Sequence, residues 1–256
     1  MTELENKLTG EKLALTIMYD GTRFHGWQVQ NNARSVQGTL QDALENVLGF
    51  RPDVTGVSRT DAGVHANNYV CHILRENVTI APERLCAALT FHLKGSGIAV
   101  KNVKAMDADF HARYSCTAKE YVYKIWNARY MNPFLENRAM FYPGELDIEK
   151  LRFCEREFLG THDFRAFMTK GSKNEDNTVR TVKYFNVERH NELVTISVCA
   201  DGFLYNMVRI MVGTYLDLAR KKETEGALGR IIDSCERKNA GDTAPANGLY
   251  LNKIFY

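Results

Sequence analysis

Apolar and polar positions alternate with a period of two through K-L-A-L-T-I-M-Y-D, where Leu13, Leu15, Ile17 and Tyr19 recur. That is the period of a half-buried strand. Gly21 breaks it, and G-T-R-F-H-G-W-Q-V-Q-N-N reads as a loop carrying aromatics. From Ser35 the period lengthens. Val36, Leu40, Ala43, Leu44, Val47 and Leu48 fall on one helical face, with Ser35 as the opening residue and Gly49 as the stop. Val54–Ser58 is expected to be a short strand and Asn68–Leu74 another. Pro82 belongs in the first turn of a helix reaching about Leu93. I-A-V-K-N-V-K-A-M alternates again and predicts a strand.

A second half begins near Asp107. Thr117–Ala128 predicts a long strand with Tyr121, Tyr123 and Ile125 on one face. Asp147 suits the cap of a helix to about Leu159. The polar stretch M-T-K-G-S-K-N-E-D-N-T predicts a loop. V-R-T-V-K-Y-F-N-V-E-R-H and E-L-V-T-I-S-V-C-A, joined at His190-Asn191, predict an antiparallel pair. Phe203–Leu218 predicts a helix with Met207, Ile210, Met211 and Tyr215 inward. Gly226–Glu236 predicts a shorter helix, and G-L-Y-L-N-K-I-F-Y a final strand. Hairpins mixed with crossovers argue for an α+β fold rather than a doubly wound parallel sheet. Two loosely similar α+β halves, 1–106 and 107–256, are expected. A cleft between halves is a natural place for a site.

The 256 residues suffice for one large domain or two small ones. Hydrophobic residues make up 45% and charged residues 25%, ordinary values for a globular protein. The formal net charge of +2 is nearly balanced, so a nucleic-acid partner would need a local basic surface. Cys71, Cys86, Cys116, Cys154, Cys199 and Cys235 are scattered, with no C-x-x-C pair. They read as reduced thiols of a cytoplasmic protein. The opening M-T-E-L-E-N-K-L-T-G-E-K has no apolar run of a signal peptide, and no stretch reaches the ~18 apolar residues of a membrane helix. No membrane association is expected.

Common chemistries are missing. No G-x-x-x-x-G-K-[ST] or H-E-x-x-H occurs, nor any G-x-S-x-G. The deaminase pairing of H-x-E with P-C-x-x-C is absent too. Gly95-Ser96-Gly97 lacks the third glycine of a dinucleotide loop, and the histidines lack ligand spacing. No metal or organic cofactor is expected, so side chains must do the chemistry. Three arginines stand out. Arg59 sits two residues before Asp61 in V-S-R-T-D-A-G-V-H-A. A turn uses Asp61 and Gly63, but it has no use for Arg59. Arg113 and Tyr114 follow Phe110-His111. Arg209 lies between Val208 and Ile210 in an apolar helix. A half-buried arginine needs a carboxylate, and Asp61 is a candidate. The plainer alternatives are a turn aspartate, a helix-edge arginine and a core Tyr121.

V-S-R-T-D-A-G-V-H-A resembles the signature of the tRNA pseudouridine synthase A family. Further blocks resemble that family in the same order. They are I-M-Y-D-G-T-R-F-H-G-W-Q-V-Q, S-V-Q-G-T-L-Q-D-A-L and F-H-A-R-Y-S-C-T-A-K-E-Y-V-Y-K-I. T-H-D-F-R-A-F, F-L-Y-N-M-V-R-I-M-V-G and the closing G-L-Y-L follow. Together they cover nearly the whole chain. The stretch after T-H-D-F-R-A-F departs from the pattern.

The resemblance implies a pseudouridine synthase fold with a mainly antiparallel mixed sheet and a central active-site cleft. It implies a homodimer acting on tRNA, at uridines 38, 39 and 40 of the anticodon stem-loop, without a cofactor. By motif, Asp61 is the catalytic aspartate, Arg59 takes part in displacing the base, Tyr121 is the active-site aromatic and Arg209 the active-site arginine. The reaction breaks the C1′–N1 bond, turns the uracil and joins C1′ to C5. Asp61 either attacks C1′ or takes a proton from the sugar. Burial would raise its pKa, and Arg209 nearby would lower it again. Leu251 is a candidate lining of the uracil pocket. Lys119, Lys124, Arg165, Lys170, Lys173, Arg180 and Lys183 are candidate RNA contacts, if they share a face.

Overall fold

Strand β1, Lys12–Tyr19, forms where the two-residue alternation predicts it, with Leu13, Leu15, Ile17 and Tyr19 buried. The structure is a computed structural model that describes residues 11–169, 171 and 176–256. Helix α1, Val36–Leu48, opens on Ser35, whose hydroxyl accepts a hydrogen bond from Gly38 N at 3.1 Å. It closes on Gly49 at φ 79°, a left-handed cap that a glycine adopts without strain. Helix α2, Pro82–His92, starts on its proline and buries Leu85 and Leu89.

The remaining strands of this part are β2 (Thr55–Gly56), β3 (His65–Leu74) and β4 (Ile98–Met106). β1 lies between β3 and β4, antiparallel to both. The β1–β3 ladder runs from Lys12 opposite Leu74, through Ala14 opposite His72, to Tyr19 opposite Ala66. β2 is a short antiparallel addition to β3.

The second part begins with β5 (Ala118–Trp126) and its two-residue parallel partner β6 (Met140–Phe141). Asp147 does cap a turn, accepting from Glu149 N and Lys150 N at 3.1 and 3.3 Å. The expected single helix to Leu159 is instead a 3-10 turn, Glu149–Leu151, followed by α3, Arg152–Glu157. Strands β7 (Gly160–Asp163), β8 (Val179–His190) and β9 (Leu193–Ala200) complete an antiparallel sheet ordered β5-β9-β8-β7. The β8–β9 hairpin turns at Asn191, which takes φ 55°.

Helix α4 spans Met207–Lys221 and α5 spans Ala227–Ser234. The predicted start of α4 at Phe203 is too early. Asn206 adopts φ 63°, and a left-handed residue cannot continue a right-handed helix. Met207, Ile210, Met211 and Tyr215 are buried as expected. Tyr215 joins a cluster of Phe158, Phe164, Phe167 and Phe185, with Phe158 and Phe185 centroids 4.6 Å apart.

The last strand, β10, is Leu249–Phe255. Contacts divide the chain into one unit ending at Thr117 that also contains Leu251–Tyr256, and another of Ala118–Tyr250. The final residues thus return to the first unit. There Asn67 Nδ2 donates to Asn252 Oδ1, and Thr117 N donates to Phe255 O, both at 2.8 Å. Each unit is α+β with an antiparallel sheet, the class the alternation implied.

Candidate active site

Asp61 lies on the irregular segment that leaves β2 and enters β3. It is half-buried, whereas Arg59 is exposed. The segment is held from both sides by residues of the early Y-D-G and G-W blocks. Tyr19 Oη and Thr60 Oγ1 share a hydrogen bond of 2.8 Å in the interior. Trp27 N donates to Thr60 O at 3.1 Å, and Gly63 N donates to Phe24 O at 3.3 Å. Tyr69 Oη donates to Ser58 O at 2.5 Å, while Trp27 stacks on Tyr69 with centroids 4.1 Å apart. Val64 N closes the turn on Asp61 O at 3.2 Å, with Gly63 at φ 79°.

Two glycines make this close approach possible. A Cβ on Gly21 would lie 2.2 Å from Val64 O, and one on Gly26 would lie 2.5 Å from Thr60 O. Both acceptors are backbone and have no rotamer to yield. Gly26 also sits at φ +88°. Beside them, His65 is buried, accepts from Gly21 N on Nδ1 at 3.0 Å and has Asp20 Oδ1 3.4 Å away. A ring accepting on Nδ1 carries its neutral hydrogen on Nε2. The turn that presents Asp61 is therefore fixed by backbone-to-backbone packing, not by its own sequence alone.

In the second unit, Arg209 stands on the first turn of α4. Its Nε donates to Ala244 O at 2.7 Å and its Nη1 to Asn206 Oδ1 at 2.8 Å. Its own carbonyl accepts from Ala244 N at 3.1 Å. The guanidinium plane is thus oriented by α4's own cap and by the segment before β10. Tyr121 is buried on β5, its ring edge-on to Phe203 at 5.0 Å and 87°. Neighbouring Tyr123 donates to Pro245 O at 2.7 Å, and burial pushes its phenol pKa up.

The sequence profile of a family described as "tRNA pseudouridine synthase" matches residues 15–115 and 155–256. The chain belongs to that family. A tRNA pseudouridine synthase A from Acetivibrio thermocellus is 42% identical over 242 residues, covering 94% of this chain and 98% of its own. One from Ruminiclostridium cellulolyticum is 40% identical over 246 residues, covering 96% and 99%. A tRNA pseudouridine synthase A 2 from Clostridium perfringens is 40% identical over 245 residues, covering 95% and 99%.

As a member of a pseudouridine synthase family, the chain is an isomerase. The matched segments contain Asp61, Arg59, Arg209 and Leu251, whereas Tyr121 falls in the interval between them. Leu251 is fully buried in β10. The proposed basic contacts are dispersed. Lys119 and Lys124 differ in parity along β5 and so lie on opposite faces. Lys124 has its ammonium 4.1 Å from the Tyr250 ring centroid, and burial pulls its pKa down. Arg165 faces Asp163 at 3.9 Å. Arg180 donates to Asn177 O and Val179 O. Lys183 is exposed at the β8 bulge. Lys170 and Lys173 lie outside the described residues.

Residue-by-residue reading of the synthase motif missed the cradle. Tyr19, Gly21, Gly26 and Trp27 act on the turn from 30 or more residues away, and Tyr69 reaches it from strand β3. The one available signal was two glycines and two aromatics packed into a loop too short to need them. Asn206 was missed as well. Its signal is an asparagine beside an apolar run, a residue type that tolerates φ > 0.

Proposed function

We propose that the chain isomerises uridine to pseudouridine in the anticodon stem-loop of tRNA, at positions 38, 39 and 40, with Asp61 as the catalytic aspartate. One observation supports this reading above the rest. The turn carrying Asp61 is held by the Tyr19–Thr60 and Tyr69–Ser58 hydrogen bonds and by glycines whose Cβ would meet backbone. That is the preorganisation expected of a group that must meet a reacting carbon.

In this reading the target nucleotide leaves its stack before reaction. Arg59, exposed beside Asp61, engages the displaced base or a phosphate with its planar cation. The C1′–N1 bond breaks, the uracil turns, C1′–C5 forms, and the C5 hydrogen leaves as N1 gains one. No net oxidation occurs. Asp61 acts either as the nucleophile at C1′ or as a base toward the sugar, and both routes require its ionised form. Arg209, already oriented by Ala244 and Asn206, is proposed as the active-site arginine. Tyr121 is proposed to rest against the uracil and Leu251 to line its pocket. The basic residues of β5 and β8, with Arg165 just after β7, would add backbone contacts. A homodimer working in the cytoplasm completes the proposal.

The test is tritium release from tRNA carrying [5-³H]uridine. Wild type should release tritium, and Asp61→Asn should lose release by at least about a thousandfold while still binding tRNA. Wild-type release by Asp61→Asn removes Asp61 from the chemistry. Carbodiimide mapping should place the product in the anticodon arm, and product elsewhere would overturn the proposed substrate.

A further inference from the structure

Arg113 and Tyr114 are part of no contact invoked above, yet their surroundings are built with care. They sit in the segment between β4 and β5. His111 Nδ1 accepts from both Arg113 N and Tyr114 N, at 3.1 and 3.3 Å. His111 N donates to Ser115 Oγ, and Ser115 N returns to His111 O, both at 2.9 Å. Lys12 Nζ ties the same segment down through Ala108 O and Phe110 O, at 2.5 and 2.8 Å. His72 Nδ1 accepts from Ala112 N at 3.2 Å. The backbone that presents the two side chains is therefore rigid.

The Tyr114 ring is 78% exposed. One face is backed by the His111 imidazole, with centroids 4.3 Å apart and planes inclined by 34°. His111 is itself edge-on to His72 at 5.0 Å. An aromatic left alone on a surface turns with its own rotamers, but this one is supported. A flat, supported ring that follows an exposed arginine in the chain is a stacking platform for a nucleobase, with a cation for the adjoining phosphate. Asp107 and Asp109 in the same segment hold down its net charge, so stacking rather than bulk attraction must carry affinity.

Its position says which step it serves. His72, which anchors the platform, stands seven residues along β3 from His65, where the catalytic turn ends. Seven residues of strand span about 23 Å at ~3.3 Å each. The platform cannot touch the reacting uridine and must grip RNA elsewhere.

We propose that Tyr114 and Arg113 form a remote RNA contact, in which an unpaired base stacks on the outer face of Tyr114 and its phosphate meets Arg113. The inference rests on the chain acting on RNA. A contact remote from the chemistry contributes uniform binding, so it changes KM and not kcat.

The experiment measures tRNA affinity by filter binding and turnover by tritium release, at several salt concentrations. Tyr114→Ala should weaken tRNA binding about tenfold and raise KM alike, with kcat unchanged. Tyr114→Phe should bind as wild type. Arg113→Ala should weaken binding and reduce the slope of log affinity against log salt by about one, whereas Tyr114→Ala leaves that slope alone. Tyr114→Trp gives a reading that does not depend on truncation, because its emission should be quenched by tRNA. Wild-type affinity in Tyr114→Ala, a loss confined to kcat, or unquenched Tyr114→Trp emission would each overturn the platform. Absence of tritium release from wild type, with tRNA bound as expected here, would instead bring down the catalytic reading.

Discussion

At the scale of the residue, the turn that carries Asp61 is governed by what its neighbours lack. Gly26→Ala must place a Cβ 2.5 Å from Thr60 O and hold an L-residue at φ +88°. It should cost roughly 2–3 kcal/mol in urea unfolding, and tritium release should fall with it. Tyr19→Phe removes only the hydroxyl bonded to Thr60, which should cost about 1 kcal/mol. A fully active, fully stable Gly26→Ala would show that the turn is not clamped as described. The aspartate and glycine of this turn were legible in the local sequence. The clamp was not, because its partners are contacts between positions far apart in the chain.

Elements add a second set of constraints. Asn206 both ends the approach to α4, at φ 63°, and holds Arg209 by its side chain. Asn206→Gly keeps the backbone freedom and deletes the anchor, whereas Asn206→Ala also strains the backbone. Asn206→Gly should therefore fold normally but turn over more slowly. Arg209→Lys should lose turnover more than tRNA affinity, since an ammonium cannot span Ala244 O and Asn206 Oδ1 as a planar fork does. Equal losses in both would make Arg209 chiefly an RNA contact.

Strand β3 also carries a titratable anchor. Burial, with His111 and Lys12 adding positive charge, holds the His72 pKa down at about 4. Unfolded chain takes up that proton near its ordinary value of about 6.5. The unfolded state thus binds more protons below that value, and stability should fall as pH drops from about 6.5 toward 4. The loss should approach about 3 kcal/mol, read as a shift in the urea midpoint. His72→Asn should flatten that dependence, and an unchanged slope would place the acid sensitivity elsewhere.

For the whole molecule, the decisive feature is the return of the C-terminus. Leu251–Tyr256 belongs to the first unit although it follows the second in sequence. Tyr256 Oη donates to Ala112 O at 2.9 Å and its ring lies 5.2 Å from Phe110. A chain ending at Tyr250 should lose the first unit's cooperative melting, not merely fray. Normal melting of that truncation would show that the last strand is dispensable.

The sequence by itself determined most of the elements, because period and capping are local. Alternation set β1, β4 and β8–β9, while Ser35 and Gly49 bounded α1. It also carried the family motifs, and with them the choice of Asp61. Even the separation of Lys119 from Lys124 was written in their parity. Tertiary structure alone decided which distant residues clamp the turn, where α4 begins, and to which unit the last strand belongs. Each of those is a competition between contacts that no neighbouring residue reports. A glycine's need for space, or an arginine's choice of acceptor, exists only once the opposing backbone has arrived.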